Sequence, residues 1–134
     1  ASLAELIALV RAAAKRDVVA ITRGNLGDLT RKIVFLATVA QRAMEAAALG
    51  WGDVQIDHAP ATVRTWRQAH RDIKRSVHEE PTAPTKNRKD HTSRLHPCAI
   101  YVLRWQRDEL QRLGYYRDDG PVWPSIGGVW RKLN

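Results

Sequence analysis

One cysteine in 134 residues leaves Cys98 nothing to pair with inside the chain, so an intramolecular disulfide framework is excluded. That scarcity fits a reducing compartment, and a cytoplasmic location is expected. Long apolar runs are missing too, since none approaches the ~20 residues that cross a bilayer. The opening ASLAELIALVRAAAKR is interrupted by Glu5 and its cations follow its apolar residues, the wrong order for a secretory signal. No segment repeats at a period of ~20–50 residues, which sets repeat architectures aside. Gly127-Gly128 has neither the lysine nor the strand–helix setting of a phosphate-cradling loop. Acid is the last shortage, with 14 Asp and Glu against 22 Lys and Arg.

The imbalance gives a net charge of +8 and a pI of about 10.3. Arginine dominates the cations, and its planar fork matches phosphate better than an ammonium does. Such a surplus favours nucleic acid as partner, ahead of an anionic membrane or an acidic protein. Otherwise the composition is ordinary for a soluble domain, at 44% hydrophobic and 27% charged. A single domain spanning residues 1–134 is expected, long enough to bury a core without staples.

Ser2 and Glu5 form a capping-box pattern ahead of Leu3, Leu6, Ile7, Val10 and Ala14, which predicts a helix from about Leu3 to Arg16. Val18 to Ile21 fit a short strand or a continuation of that helix. A second helix is predicted from a cap at Asp28 to Leu49, with Leu29, Ile33, Leu36, Ala40, Met44 and Ala47 inward and Gly50 as its stop. Val54-Gln55-Ile56 is read as a weak strand. Pro60 then opens a third predicted helix, PATVRTWRQAHRDIKRSV, with Val63, Trp66, His70, Ile73 and Val77 on one stripe. Arg64, Arg67, Arg71, Lys74 and Arg75 fall on a neighbouring stripe, roughly 100° round a 3.6-residue helix. Residues 79–93 read as a mobile basic loop carrying Lys86, Arg88 and Lys89. Pro97 and Gly114 bracket a fourth helix with Ile100, Leu103, Leu110 and Leu113 inward, and a hairpin is predicted around Asp119-Gly120.

These elements predict a mainly α, four-helix domain of winged or extended helix-turn-helix type, with a short C-terminal β-hairpin. The hairpin resembles in shape the wing of winged-helix proteins, with Arg117 near its tip. The nine residues between Gly50 and Pro60 depart from the tight helix-turn-helix spacing. On this reading Thr62, Arg64, Thr65, Arg67 and Gln68 suit base readout, since Arg forks onto guanine, Gln onto adenine and Thr meets a thymine methyl. Arg71, Lys74, Arg75, Lys86, Arg88, Lys89 and Arg117 suit phosphate.

Rival chemistries are thinner. His78, His91, His96 and Cys98 include one thiol, too few for a structural zinc site, so no metal and no cofactor is expected. Cys98 beside a histidine, or Asp118-Asp119 before Gly120, is the most a catalytic reading offers, and both patterns are ordinary in a first helical turn or a β-turn. Trp66 is expected in the core, while Trp51, Trp123 and Trp130 fit either packing or a partner surface. The function expected is therefore non-enzymatic duplex-DNA binding, as a regulator or a replication or partition accessory, with a homodimer on two-fold sites. The alternatives are an RNA-binding or ribonucleoprotein-assembly protein, a small toxin-like basic nuclease, and a protein–protein adaptor.

Overall fold

The structure, a computed structural model, describes residues 2–39, 41, 43–69, 82–84 and 90–124. Helix α1 runs from Leu3 to Thr22 and carries the expected capping box, with Ser2 Oγ accepting from Glu5 N and Glu5 Oε2 from Ser2 N. Val18 to Ile21 extend the helix, because each residue added to an existing helix gains a hydrogen bond that outweighs a β-branched penalty of tenths of a kcal/mol. The chain then reverses through Gly24 and Gly27, both at positive φ, into α2 (Leu29–Thr38). Asp28 occupies the cap position without capping through its side chain. Asp17 of α1 takes over, its two oxygens accepting from Leu29 N and Thr30 N at 2.9 Å each. That carboxylate satisfies two orphan donors and faces the positive end of the helix dipole.

The long second helix is broken. Val39 is extended, and α3 resumes only over Ala43–Ala47. Thr38 Oγ1 bonds back to the carbonyls of Val34 and Phe35, a competition with the helical ladder that favours a bend or an end. Arg31 and Phe35 face the core, while Leu29, Ile33 and Leu36 of the predicted stripe are half-buried.

The largest departure falls on the predicted third helix. Pro60 lies in a bend, and the chain continues as strands β2 (Thr62–Thr65) and β3 (Arg67–Ala69) after a two-residue β1 (Val54–Gln55). Thr62, Val63, Thr65 and Trp66 all favour extended backbone. Ala61, Val63 and Thr65 alternate inward with Arg64 outward, a period of two that decides the element. Val63 and Trp66, on one helical stripe three residues apart, lie on opposite faces of an extended chain. His70, Ile73 and Val77 fall outside the described residues. Part of the expected loop 79–93 is strand as well, as β4 (Thr82–Pro84) and β5 (His91–Arg94).

The fold is thus mixed α/β rather than mainly α, and among the described residues neither a helix-turn-helix nor a wing is formed. An antiparallel sheet of order β1-β2-β5 contributes Val54 and Val63 to a core shared with Phe35 and Leu103, and β3 pairs with β4. Helix α4 (Pro97–Leu113) begins and ends where the proline and glycine predict, with Gly114 in the left-handed region. Its Leu103 and Leu110 are fully buried; Ile100 is half-buried and Leu113 exposed. The expected C-terminal hairpin is replaced by a pairing back to residues 49–51. Pro121 bridges Gly50, Val122 N donates to Leu49 O, and Trp51 N donates to Gly120 O. The core gathers Phe35, Val63, Leu103, Leu110, Val122 and Trp123, with the Phe35 and Trp123 rings 5.5 Å apart. Trp51 and Trp123 are core residues; Trp66 is half-buried and Trp105 exposed.

Candidate nucleic-acid interface

Strands β2 and β5 pair with Thr62 opposite Arg94 and Thr65 opposite His91; β3 and β4 pair with Arg67 opposite Pro84 and Ala69 opposite Thr82. The two ladders follow one another along the same pair of chain segments but belong to separate sheets, a ribbon in two stages whose second stage also packs against α3 through β3. Between the stages the outgoing strand has only Trp66, whereas the returning strand has residues 85–90. This ribbon region is where the charge is concentrated. Residues 64–94 hold nine Lys and Arg against four Asp and Glu, a surplus of five from the chain's +8.

The pleat sorts the first stage into two faces. Val63 and Thr65 point inward and are buried, while Thr62 and Arg64 point outward with their cross-strand neighbours Arg94 and Thr92. Gln55, opposite Thr62 on β1, extends the same row outward. The solvent face of the root therefore reads Gln55, Thr62, Arg64, Thr92, Arg94, every member a hydrogen-bonding group.

Arg64 is held in place. Its guanidinium lies 4.9 Å from the centre of the Trp66 ring, and its Nε donates to Asp90 Oδ1 and Oδ2 at 3.0 and 3.1 Å. Nη2 also donates to Asp90 Oδ2. Both side chains are about half exposed, at 50% and 49%. The Arg64 guanidinium holds the Asp90 carboxyl below the usual carboxylate range, and the same bond raises the pKa of Arg64. Trp66 is itself anchored, because its Nε1 donates to Asp53 Oδ1 at 2.9 Å while Asp53 Oδ2 accepts from Gly50 N at 3.0 Å. Inside the ribbon, Gln41 Nε2 donates to Thr65 Oγ1 at 2.7 Å, tying the link between α2 and α3 to β2.

Of the residues expected to read bases, Thr62 and Arg64 stand on the outer face. Thr65 is turned inward and bonded to Gln41, so it is not available for that work. Arg67 and Gln68 lie on β3, in register with Pro84 and Ala83. Arg71, Lys74, Arg75, Lys86, Arg88 and Lys89 lie outside the described residues. Arg117 is not on the ribbon; it sits after α4 and pairs with Asp119 at 3.1 and 3.0 Å. Sequence reasoning missed Arg94 and Thr92, because His91-Thr92-Ser93-Arg94 holds no apolar residue and so no alternation to mark a strand.

Other constellations are dispersed. His96 Nδ1 accepts from Cys98 N as the cap of α4, and the Cys98 thiol is exposed. Among the described residues no group of three or more His, Cys, Asp and Glu could hold a metal ion. No helix among them is long and apolar enough to cross a membrane. Fold and site together describe a basic α/β fold with the β2–β5 and β3–β4 ladders in succession. Comparison with known protein families, with characterised proteins and with solved structures finds no match to this chain.

Proposed function

We propose that this protein binds duplex DNA by laying the β-ribbon against it, in a regulatory or accessory role rather than an enzymatic one. The observation that carries the reading is the outward row Thr62, Arg64, Thr92 and Arg94 at the root of the most cationic stretch of the chain. Strand β1 flanks only Thr62 and Val63, so from Arg64 onward β2 and β5 stand as two strands, a width that the B-form major groove, about 12 Å across, admits. The deep, narrow major groove of A-form RNA does not admit it, which favours DNA over RNA as the partner. Arg64 and Arg94 supply forked donors for guanine or phosphate, and the two threonines suit phosphate oxygens or a thymine methyl.

Duplex binding measured across a salt series tests this. The log of the affinity should fall linearly with log salt, by about 0.9 per phosphate contacted. Single-stranded DNA and an RNA duplex of the same sequence should bind more weakly at each salt concentration. Failure to bind any duplex DNA at ~50 mM salt, within the range where such contacts are strong, refutes the proposal. Equal affinity for the RNA duplex refutes the groove-seated ribbon.

A further inference from the structure

We infer that Arg64 on the Trp66 ring forms a seat for a backbone phosphate, occupied in the free protein by Asp90 of the same chain. This rests on the duplex-DNA reading and adds to it a defined contact and an internal competitor. The geometry has three parts. The indole, fixed by its hydrogen bond to Asp53, supports one flat side of the guanidinium. The edge formed by Nε and Nη2 is presented sideways, and both Asp90 oxygens sit on it. A carboxylate and a phosphodiester offer a guanidinium the same forked pair of oxygens. Asp90 therefore stands where a phosphate would stand.

Exchange between the two anions is easy on this surface. Both side chains are half exposed, so neither is desolvated by the pairing, and an exposed ion pair holds weakly. Asp90 immediately precedes β5 and follows residues 85–89, so its release leaves the β2–β5 register untouched. A phosphate arriving at Arg64 sheds its condensed cation, while the displaced carboxylate attracts one. In the wild-type protein this contact is consequently almost silent in the salt dependence. Asp90 acts as a filter: it keeps Arg64 from scattered anions and yields to a phosphate held in place by the rest of the ribbon.

The test uses the full chain with Asp90→Asn, Arg64→Ala, the double variant, and Asp108→Asn, which makes the same charge change on α4. Duplex affinity is measured against salt for each, with the melting temperature as a folding control. Asp90→Asn is expected to bind more tightly than wild type and to steepen the salt slope by about 0.9, the value of one phosphate contact. Its advantage over wild type then grows about 3.5-fold between 200 and 50 mM salt. Asp108→Asn should leave the slope as it is, and the gain from Asp90→Asn should vanish in the Arg64→Ala background. An Asp90→Asn slope equal to that of Asp108→Asn, or a gain that persists without Arg64, overturns the seat while leaving duplex binding standing. Absence of wild-type binding removes both.

Discussion

Gln106 provides the sharpest test of how α2, α4 and the segment around Val122 are held together. Its side chain is wholly buried on α4 and makes three bonds, two to the start of α2 and one to the segment that follows α4. Oε1 accepts from Arg31 Nε of α2 at 2.7 Å; Nε2 donates to Asp28 Oδ2 at 3.2 Å and to Val122 O at 2.9 Å. Arg31 is itself only 4% exposed, and its guanidinium is held 4.8 Å from the Trp105 ring. Its Nη2 already lacks a partner, and burial lowers its pKa. Replacing Gln106 by Leu removes three bonds worth about 1 kcal/mol each and leaves a buried cationic N–H unpaired, a further cost of about 1–3 kcal/mol. After the apolar gain of the leucine, the expected loss is about 3–5 kcal/mol. That is a large part of a typical stability of about 5–15 kcal/mol. For a chain of this size it corresponds to a drop of roughly 10–20 °C in Tm. Urea and thermal unfolding measure it, and Gln106→Glu separates the bonds. Glutamate keeps an acceptor for Arg31 but turns an oxygen toward Asp28 and Val122 O, so it should recover stability only as acid protonates it. A Gln106→Leu protein within 1 kcal/mol of wild type, well under the cost of a buried unpaired donor, refutes this account of the network.

Two smaller perturbations follow from the same kind of reasoning. At Gly27, φ is +65° and an added Cβ would lie 2.6 Å from Ile21 Cγ1 and 3.0 Å from Asp17 O. Gly27→Ala should therefore cost about 1–3 kcal/mol in urea unfolding by straining the α1–α2 turn; an unchanged midpoint contradicts the geometry. Asp57 pairs with Arg107 at 2.8 Å, and that bond lowers its carboxyl pKa in the folded protein. Its contribution to stability is thus complete above the ordinary carboxylate range and lost as pH falls through the lowered folded value. The gap between wild type and Asp57→Asn should be constant near neutrality and close in acid, and a gap that widens in acid has the wrong sign.

How much of this could be read in the residues varies by element. Helices α1 and α4 were legible because their ends carry side-chain chemistry: Ser2 with Glu5, and Pro97 with Gly114. The break at Val39 was hidden, since Thr38 turns on its own carbonyls only once the helix exists. Residues 60–69 misled because two periods coexist there. Val63, Trp66 and His70 satisfy a helical stripe, while Ala61, Val63 and Thr65 satisfy alternation, and the cations between fit either. Partners decided it: β2 finds β1 on one side and β5 on the other, and no window of local sequence contains β5. The clustering of charge was legible all the same, because it depends on order along the chain and not on conformation. The row joining Arg64 to Arg94 was not, because thirty residues of sequence separate two side chains that the ladder makes neighbours.

The unequal strands of the ribbon have a consequence for how the sequence can vary. Adding one residue beside Trp66 would shift the outgoing strand by half a pleat and exchange its two faces beyond that point. The same insertion within the β2–β5 ladder would part Arg64 from Thr92 and Thr62 from Arg94. The outward row that carries Arg64 and Arg94 is therefore fixed in length as well as in composition.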